Sequence, residues 1–173
     1  VEMVRILNHH GYRVDYVDER SQPQVDLASY DLILDHGNNL KDCPQDSRQH
    51  KIHWTSGNHW LRWNTAELER IRMFYERTGI LVPMNRQVPN NASDEYANYL
   101  TYFGTDLQKD SFSKKPKKIQ INISSAAIPT YHEKNFGDAR KKFMWIGGGG
   151  LIHKGLDIVM EAFQKMPDAD LYI

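Results

Sequence analysis

Residues 143–163 contain the pattern that most restricts how this chain can fold. An unbroken apolar run at residues 143–146 predicts a strand that is covered by helices on both faces. Four glycines follow at residues 147–150. After them, apolar residues recur at spacings of three and four, as on one face of a helix: Leu156, Val159, Met160 and Phe163. A strand, a glycine turn and an amphipathic helix in this order predict an α/β fold with a parallel sheet.

The glycine turn has the composition of an anion-binding site. Without side chains, the turn leaves backbone N–H groups open to a ligand, and the positive end of the following helix and a lysine favour an anion. The sequence therefore predicts a phosphate site formed by Gly147, Gly148, Gly149, Gly150, Lys154 and Gly155. Gly155 stands where a Walker loop needs Ser or Thr, and the spacing does not fit G-x-G-x-x-G. Such glycines also occur where a helix packs closely on a sheet, so that structural alternative stays open.

Size and charge limit the classes of function. With 173 residues and 40% hydrophobic content, the chain can bury a core and fits one domain or a domain plus part of another. Lys+Arg and Asp+Glu both number 22, but residues 114–173 hold 10 basic and 6 acidic side chains. This local excess suits an anionic ligand and is too small to predict nucleic-acid binding. A single cysteine excludes an internal disulfide, and without a long apolar run or a signal pattern we expect a cytoplasmic protein.

Strand and helix patterns also alternate before residue 143, which predicts a first Rossmann-like domain. Apolar or alternating runs predict strands at residues 13–18, 30–36, 51–55, 99–103 and 117–123. Helices are predicted at residues 1–11 and 64–79, the second with a capping box of Asn64 and Glu67 and with Gly79 at its end. We therefore expect an N-terminal domain over residues 1–123, a linker over 124–142 and a truncated second domain over 143–173. A doubly wound domain normally begins with a strand, so we expect the first strand to be missing.

Residues 143–163 resemble the opening of the donor-binding domain of retaining glycosyltransferases with the GT-B fold, the group called glycosyltransferase family 4. The resemblance lies in the apolar strand, the glycine turn, the Lys154-Gly155 pair and a Leu-Asp helix that ends Glu-Ala-Phe. It implies a GT-B type fold and the transfer of a sugar, with retention, from a nucleotide-diphosphate donor to an acceptor hydroxyl, without a metal or other cofactor. In many members an arginine in the turn and the lysine hold the donor diphosphate. Here no arginine lies between Trp145 and Gly155, so either backbone groups replace its charge or the donor is held more weakly.

Polar and aromatic residues follow two predicted strands, at the sheet edge where α/β proteins bind ligands. The acceptor-side candidates are His36, Asn38, His53 and Trp60. His59 follows the strand at residues 51–55, and the resemblance implies that it contacts the reacting sugar as a catalytic residue. A structural histidine is the alternative in each case, and Trp54, Trp60 and Trp63 either stack on a sugar or form a small core. No spacing typical of a metal site occurs in the sequence.

The resemblance implies a nucleotide-sugar donor and a carbohydrate or lipid-linked acceptor as partners, as in polysaccharide biosynthesis. The basic cluster at residues 114–118 adds at most a weak attraction to a membrane surface. Two other functions stay open: an NAD(P)-dependent Rossmann oxidoreductase and a non-catalytic module that binds sugar nucleotides or a partner. Because the family's donor-binding carboxylates lie later in the donor domain, we expect this chain alone to have no transferase activity.

Overall fold

The computed structural model describes residues 2–18, 24–45, 48–122, 133 and 135–173. These residues form six α-helices: Glu2–His9 (α1), Trp60–Thr78 (α2), Ser93–Tyr96 (α3), Asp106–Lys109 (α4), Phe136–Ala139 (α5) and Leu156–Phe163 (α6). They also form six strands: Leu32–Asp35 (β1), His50–Trp54 (β2), Tyr99–Phe103 (β3), Lys117–Ile121 (β4), Lys142–Met144 (β5) and Asp170–Tyr172 (β6).

The first four strands form an all-parallel sheet with the order β1-β2-β3-β4, a Rossmann-like arrangement. Leu32 of β1 lies opposite His50 of β2, and Asp35 lies opposite His53. β3 continues the sheet beside β2 in the same direction. The parallel α/β sheet predicted from the alternating elements is thus confirmed. It brings the C-terminal ends of β1 and β2 to one edge, where polar residues follow both strands.

The prediction of a strand at residues 13–18 is wrong, because this segment pairs with no strand in the described part of the chain. Tyr16 and Val17 are exposed, and the side chain of Asp15 accepts a hydrogen bond of 3.0 Å from the hydroxyl of Tyr30. Alternating apolar residues form a strand only where a neighbour supplies partners for the backbone N–H and C=O groups. A sequence pattern cannot report whether that neighbour is present.

The chain divides into two units. The first contains Val1–Thr55, Ala92–Thr101 and Ser113–Ile119, and the second contains Ser56–Asn91, Tyr102–Phe112 and Gln120–Ile173. α2 therefore belongs to the same unit as the glycine turn and α6. Most of the predicted linker at residues 124–142 lies outside the described residues, and a domain boundary there stays a prediction.

The first unit has a small apolar core that includes residues from β1 and α3. Leu40, Cys43 and Ala97 are at most 3% exposed. Partly buried side chains pack against them: Leu27, Ile33 and Tyr96. Burial raises the pKa of the Cys43 thiol, so this side chain stays protonated and acts as a small apolar residue of the core.

α2 begins at Trp60 rather than at Asn64, so the predicted N-cap is wrong. His59 takes that role, since its Nδ1 accepts a hydrogen bond of 3.3 Å from the N–H of Leu61. Gly79 ends the helix as predicted, with a φ of 71° in the left-handed region. The capping box fails because the first helical turn lies upstream of both of its members. Asn64 and the buried Glu67 lie within the helix and bind a different segment of the chain.

The strand, turn and helix predicted at residues 143–163 are confirmed as β5, a turn and α6, and β5 pairs in parallel with β6. Phe143 packs edge-on against Phe163 of α6, with ring centroids 5.3 Å apart. The prediction that this strand is covered on both faces is wrong for the described structure, since Met144 is 72% and Ile146 85% exposed. Two short strands with one helix beside them cover only part of these side chains.

Candidate anion-binding site

The glycines of the turn differ in which atoms lie close to their backbone. The ring of Trp145 lies over Gly147, where an added Cβ would be 2.2 Å from a ring carbon. An added Cβ on Gly148 would lie 3.8 Å from Nζ of Lys154, and one on Gly149 would have no atom within 4 Å. Glycine at position 147 therefore permits packing of the indole, whereas positions 148 and 149 leave the backbone open beside a lysine.

Gly150 is required both by its conformation and by the side chain of Arg86. It has a φ of 81°, and a Cβ at this position would lie 2.2 Å from Cδ of Arg86. The arginine side chain thus lies directly against the turn. Residues from these two segments line one open depression of about 440 Å³: Asn85, Arg86, Gly149, Gly150 and Lys154.

Several hydrogen-bond donors beside this depression are not used within the protein. Among the described residues, the amide groups of Gly148, Gly149 and Gly150 donate no hydrogen bond. In the same part of the chain, neither Lys154 nor Arg86 forms an ion pair with a carboxylate. Two unpaired cations beside free amides favour an anion that has several oxygen atoms.

Gly155 has a structural role at the end of the turn. It precedes α6 with a φ of 80°, and its N–H donates to the carbonyl of Ile152 at 3.0 Å. The N–H of Lys154 donates to the carbonyl of Gly150 at 2.9 Å. These bonds close residues 150–155 into a compact turn and use the N–H groups of Lys154 and Gly155, which leaves those of Gly148, Gly149 and Gly150 for a ligand.

An ion-pair network joins the beginning of α6 to α2. Asp157 accepts hydrogen bonds from the guanidinium groups of Arg70, at 2.5 Å, and Arg77. Burial acts to raise the pKa of Asp157, but the hydrogen bonds from Arg77 and Arg70 outweigh it and hold this pKa below its usual value. Arg77 also pairs with Glu161 at 2.9 Å. These two arginines are therefore occupied by carboxylates, in contrast to Arg86.

Trp63 lies on α2, and its indole packs against other residues of the second unit. It stacks on His153 of the turn, with centroids 6.0 Å apart and planes 21° apart, and the guanidinium carbon of Arg86 lies 5.3 Å from its centroid. An added Cβ on Gly57 would lie 3.0 Å from the same ring. These contacts favour the small-core alternative for Trp63 over stacking on a sugar.

In the first unit, the carboxylate of Asp35 organises the segment that follows β1. It accepts hydrogen bonds from the N–H of Gly37 at 3.1 Å and from the N–H and side-chain amide of Asn39 at 3.0 and 2.8 Å. The hydroxyl of Ser93 also donates to it, at 3.3 Å. The loop at this strand end is therefore held in a defined conformation.

Three acceptor-side candidates lie around this loop. The side-chain oxygen of Asn38 accepts a hydrogen bond of 2.9 Å from the N–H of Ala92. His53 is 5% exposed, with Nδ1 3.3 Å from the carbonyl oxygen of Asp35, and burial lowers its pKa. His36 is exposed. Of these three candidates, His36 is the one whose side chain is exposed to solvent.

The other two candidates, His59 and Trp60, lie in the second unit at the start of α2. The ring of His59 contacts Trp60, with centroids 5.5 Å apart, and Phe112, with centroids 5.7 Å apart. Because its Nδ1 accepts a hydrogen bond from the helix, a neutral His59 carries its proton on Nε2. The structure thus assigns His59 a capping role, and its catalytic role stays a prediction.

Sequence reasoning missed Arg86 and Asn85. Both lie in a segment that forms neither helix nor strand, far along the chain from the glycine turn. The available signal was indirect: the glycine turn lacks the arginine that its resemblance implies, and an arginine elsewhere in the chain can supply that charge.

The fold and the depression define an α/β protein that has a Rossmann-like parallel sheet and a cationic pocket at a glycine turn. Comparisons with models of protein families, with curated proteins and with solved structures gave no significant match. Among the helices of the described ranges, we found none with the combination of length and apolar character that a bilayer span requires.

Proposed function

We propose that this chain provides the donor-diphosphate site of a glycosyltransferase, which moves a sugar from a nucleotide-diphosphate donor to an acceptor hydroxyl with retention. The observation that carries the proposal is the unpaired ammonium of Lys154 beside the free amides of Gly148, Gly149 and Gly150. The sequence resemblance of residues 143–163 supports a sugar nucleotide as the source of that diphosphate.

The arrangement suits the charge that develops during transfer. When the bond between the sugar and the diphosphate breaks, negative charge grows on the departing phosphate oxygen. A fixed ammonium and fixed backbone amides stabilise that charge more strongly than the charge of the bound donor. Lys154 is therefore expected to affect kcat more than KM.

The acceptor is proposed to be a carbohydrate or a lipid-linked carbohydrate. Among the candidates in the first unit, exposed His36 beside the ordered loop after β1 is the best placed for contact with an acceptor hydroxyl. This part of the proposal rests on the sequence resemblance and on the general use of strand ends as ligand sites in α/β sheets.

The test uses the natural full-length protein and a panel of UDP-, GDP-, ADP- and dTDP-sugars, scored both for binding and for transfer. We expect one nucleotide diphosphate to bind with transfer of its sugar, and Lys154→Gln to lower kcat/KM by about 10- to 100-fold, as expected for the loss of a hydrogen bond between charged groups. Lys165→Gln is the matched control, because it removes an exposed lysine of the same unit.

Three outcomes would count against the proposal. Unchanged kcat in the Lys154 variant contradicts the role of the lysine. Binding of sugar nucleotides without transfer to any acceptor indicates a non-catalytic binding module. Binding of NAD(P) in preference to every sugar nucleotide indicates an oxidoreductase.

A further inference from the structure

Residues 85–88 are held against α2 by two side chains that lie three positions apart on the helix. The side-chain Nδ2 of Asn64 donates a hydrogen bond to the carbonyl of Val88, and its Oδ1 accepts one from the N–H of Val88, both at 2.9 Å. Oε1 of Glu67 accepts from the N–H groups of Asn85, at 3.2 Å, and Arg86, at 2.9 Å. We call these four hydrogen bonds the α2 clamp. They hold both ends of a segment that otherwise lacks secondary structure.

A buried carboxylate such as that of Glu67 is an unusual acceptor for two backbone N–H groups. Glu67 is 2% exposed, and its Oε2 has no hydrogen-bond partner among the described residues. Burial of a charged group without a cationic partner is costly, and a neutral acceptor could bond to the same two amides. Such a departure from the usual rule is expected where the held segment has a function.

The segment directs the side chain of Arg86 towards the glycine turn. Its stem lies against Gly150, and its guanidinium lies near the ring of Trp63, one helical turn from Glu67 on α2. Both contacts reduce the freedom of the side chain before any ligand binds, so less conformational entropy is lost on binding. On α2 itself, Arg70, Arg72 and Arg77 pair with carboxylates, whereas no described carboxylate pairs with Arg86.

We infer that Arg86 is the second anion-binding cation of the depression, and that the α2 clamp positions it through Glu67. The ligand class is a diphosphate, with one phosphate group at Lys154 and the free glycine amides and the other at the fork of Arg86, which suits two phosphate oxygens. Residues 85–88 thus supply the second positive charge, which the glycine turn itself lacks. That the diphosphate belongs to a sugar nucleotide rests on the proposed function, but binding at Lys154 and Arg86 requires only a diphosphate.

The experiment is a titration of the whole chain with inorganic pyrophosphate and, separately, with inorganic phosphate at fixed ionic strength, by calorimetry. Arg86→Gln should weaken pyrophosphate binding by about 10- to 100-fold and phosphate binding much less, because a single phosphate group can bind at Lys154 alone. Arg86→Lys keeps the positive charge but lacks the forked guanidinium, so its affinity for pyrophosphate should lie between those of the unaltered chain and Arg86→Gln. Arg62→Gln, which removes an exposed arginine of α2, is the control and should change neither affinity.

Glu67 is tested as a positioning residue. Glu67→Ala should weaken pyrophosphate binding towards the level of Arg86→Gln, whereas Glu67→Gln keeps an acceptor for the two amides and should retain most of the affinity. In the double variant Glu67→Ala/Arg86→Gln, binding should be no weaker than in Arg86→Gln, because both changes remove the same contact. If Glu67→Ala fails to fold, Asn64→Ala opens the other end of the clamp and tests the same prediction.

The outcomes separate this inference from the proposed function. Loss of pyrophosphate binding in Lys154→Gln but not in Arg86→Gln overturns the inference and leaves the proposed function standing. Binding that depends on Arg86, in a natural protein that transfers no sugar, supports the inference and overturns the function. Additive losses in the double variant overturn the positioning role of Glu67, and absence of pyrophosphate binding by the unaltered chain overturns both proposals.

Discussion

The guanidinium of Arg70 donates a hydrogen bond of 2.5 Å to the carboxylate of Asp157, a residue 87 positions away in the chain. The side chains are 14% and 9% exposed, so both charges are largely removed from water. Nη1 of Arg70 has no hydrogen-bond partner among the described residues, which makes the arginine dependent on this carboxylate. The pair ties α6, and with it the glycine turn, to α2.

Asp157→Asn should lower the free energy of unfolding of the second unit by about 2–4 kcal/mol at pH 7, because it leaves a buried guanidinium without its counter-charge. Urea denaturation followed by tryptophan fluorescence measures this change. Asp168→Asn, which disrupts an exposed pair with Lys141 at 3.6 Å, should cost less than about 1 kcal/mol. Equal effects of the two substitutions would contradict the importance of burial.

The Arg70–Asp157 pair also predicts whether acid raises or lowers the stability of the fold. The pKa of Asp157 is lower in the folded chain than in the unfolded chain, where it is about 3.9. The stabilisation is therefore complete above that value and is lost as the pH falls through the folded pKa. The difference in stability between the unaltered chain and Asp157→Asn should shrink below about pH 4, and a constant difference down to pH 2 would refute the linkage.

Gly150→Ala should displace the side chain of Arg86 from the turn, whereas Gly149→Ala should leave Arg86 in place. At position 150 a Cβ meets the stem of Arg86, and the left-handed backbone adds about 1–2 kcal/mol of strain for a residue other than glycine. At position 149 the Cβ position is open. We expect lower stability for Gly150→Ala but not for Gly149→Ala, measured by thermal unfolding, and weaker pyrophosphate binding for Gly150→Ala, measured by calorimetry. Retention of full affinity in that variant would show that Arg86 need not lie against the turn.

His53 should make the first unit sensitive to mild acid. Burial lowers its pKa in the folded chain, so the unfolded chain takes up a proton first as the pH falls below about 6.5. Stability contributed by the neutral ring is therefore complete above that pH and decreases below it, by up to about 1.4 kcal/mol per pH unit until the folded pKa is reached. Asp35 and Asp94 act electrostatically to raise this pKa and His36 acts to lower it, but burial has the larger effect.

Thermal unfolding at several pH values between 7.5 and 5 measures this effect. The slope of stability against pH should be smaller in His53→Gln, which cannot titrate, than in the unaltered chain. His9→Gln removes an exposed histidine at the end of α1 and should keep the original slope. If all three proteins have the same slope, a group other than His53 controls the response.

The sequence by itself determined the α/β class, the β5–turn–α6 unit and the end of α2 at Gly79. These features follow from hydrophobic periodicity and from the backbone freedom of glycine, which are properties of neighbouring residues. Only the tertiary structure decided that residues 13–18 do not form a strand, that Asn64 and Glu67 bind residues 85–88 instead of capping a helix, and that Arg86 lies at the glycine turn. Each of these outcomes depends on which distant segment comes to lie beside a given residue, and local pattern carries no information about that.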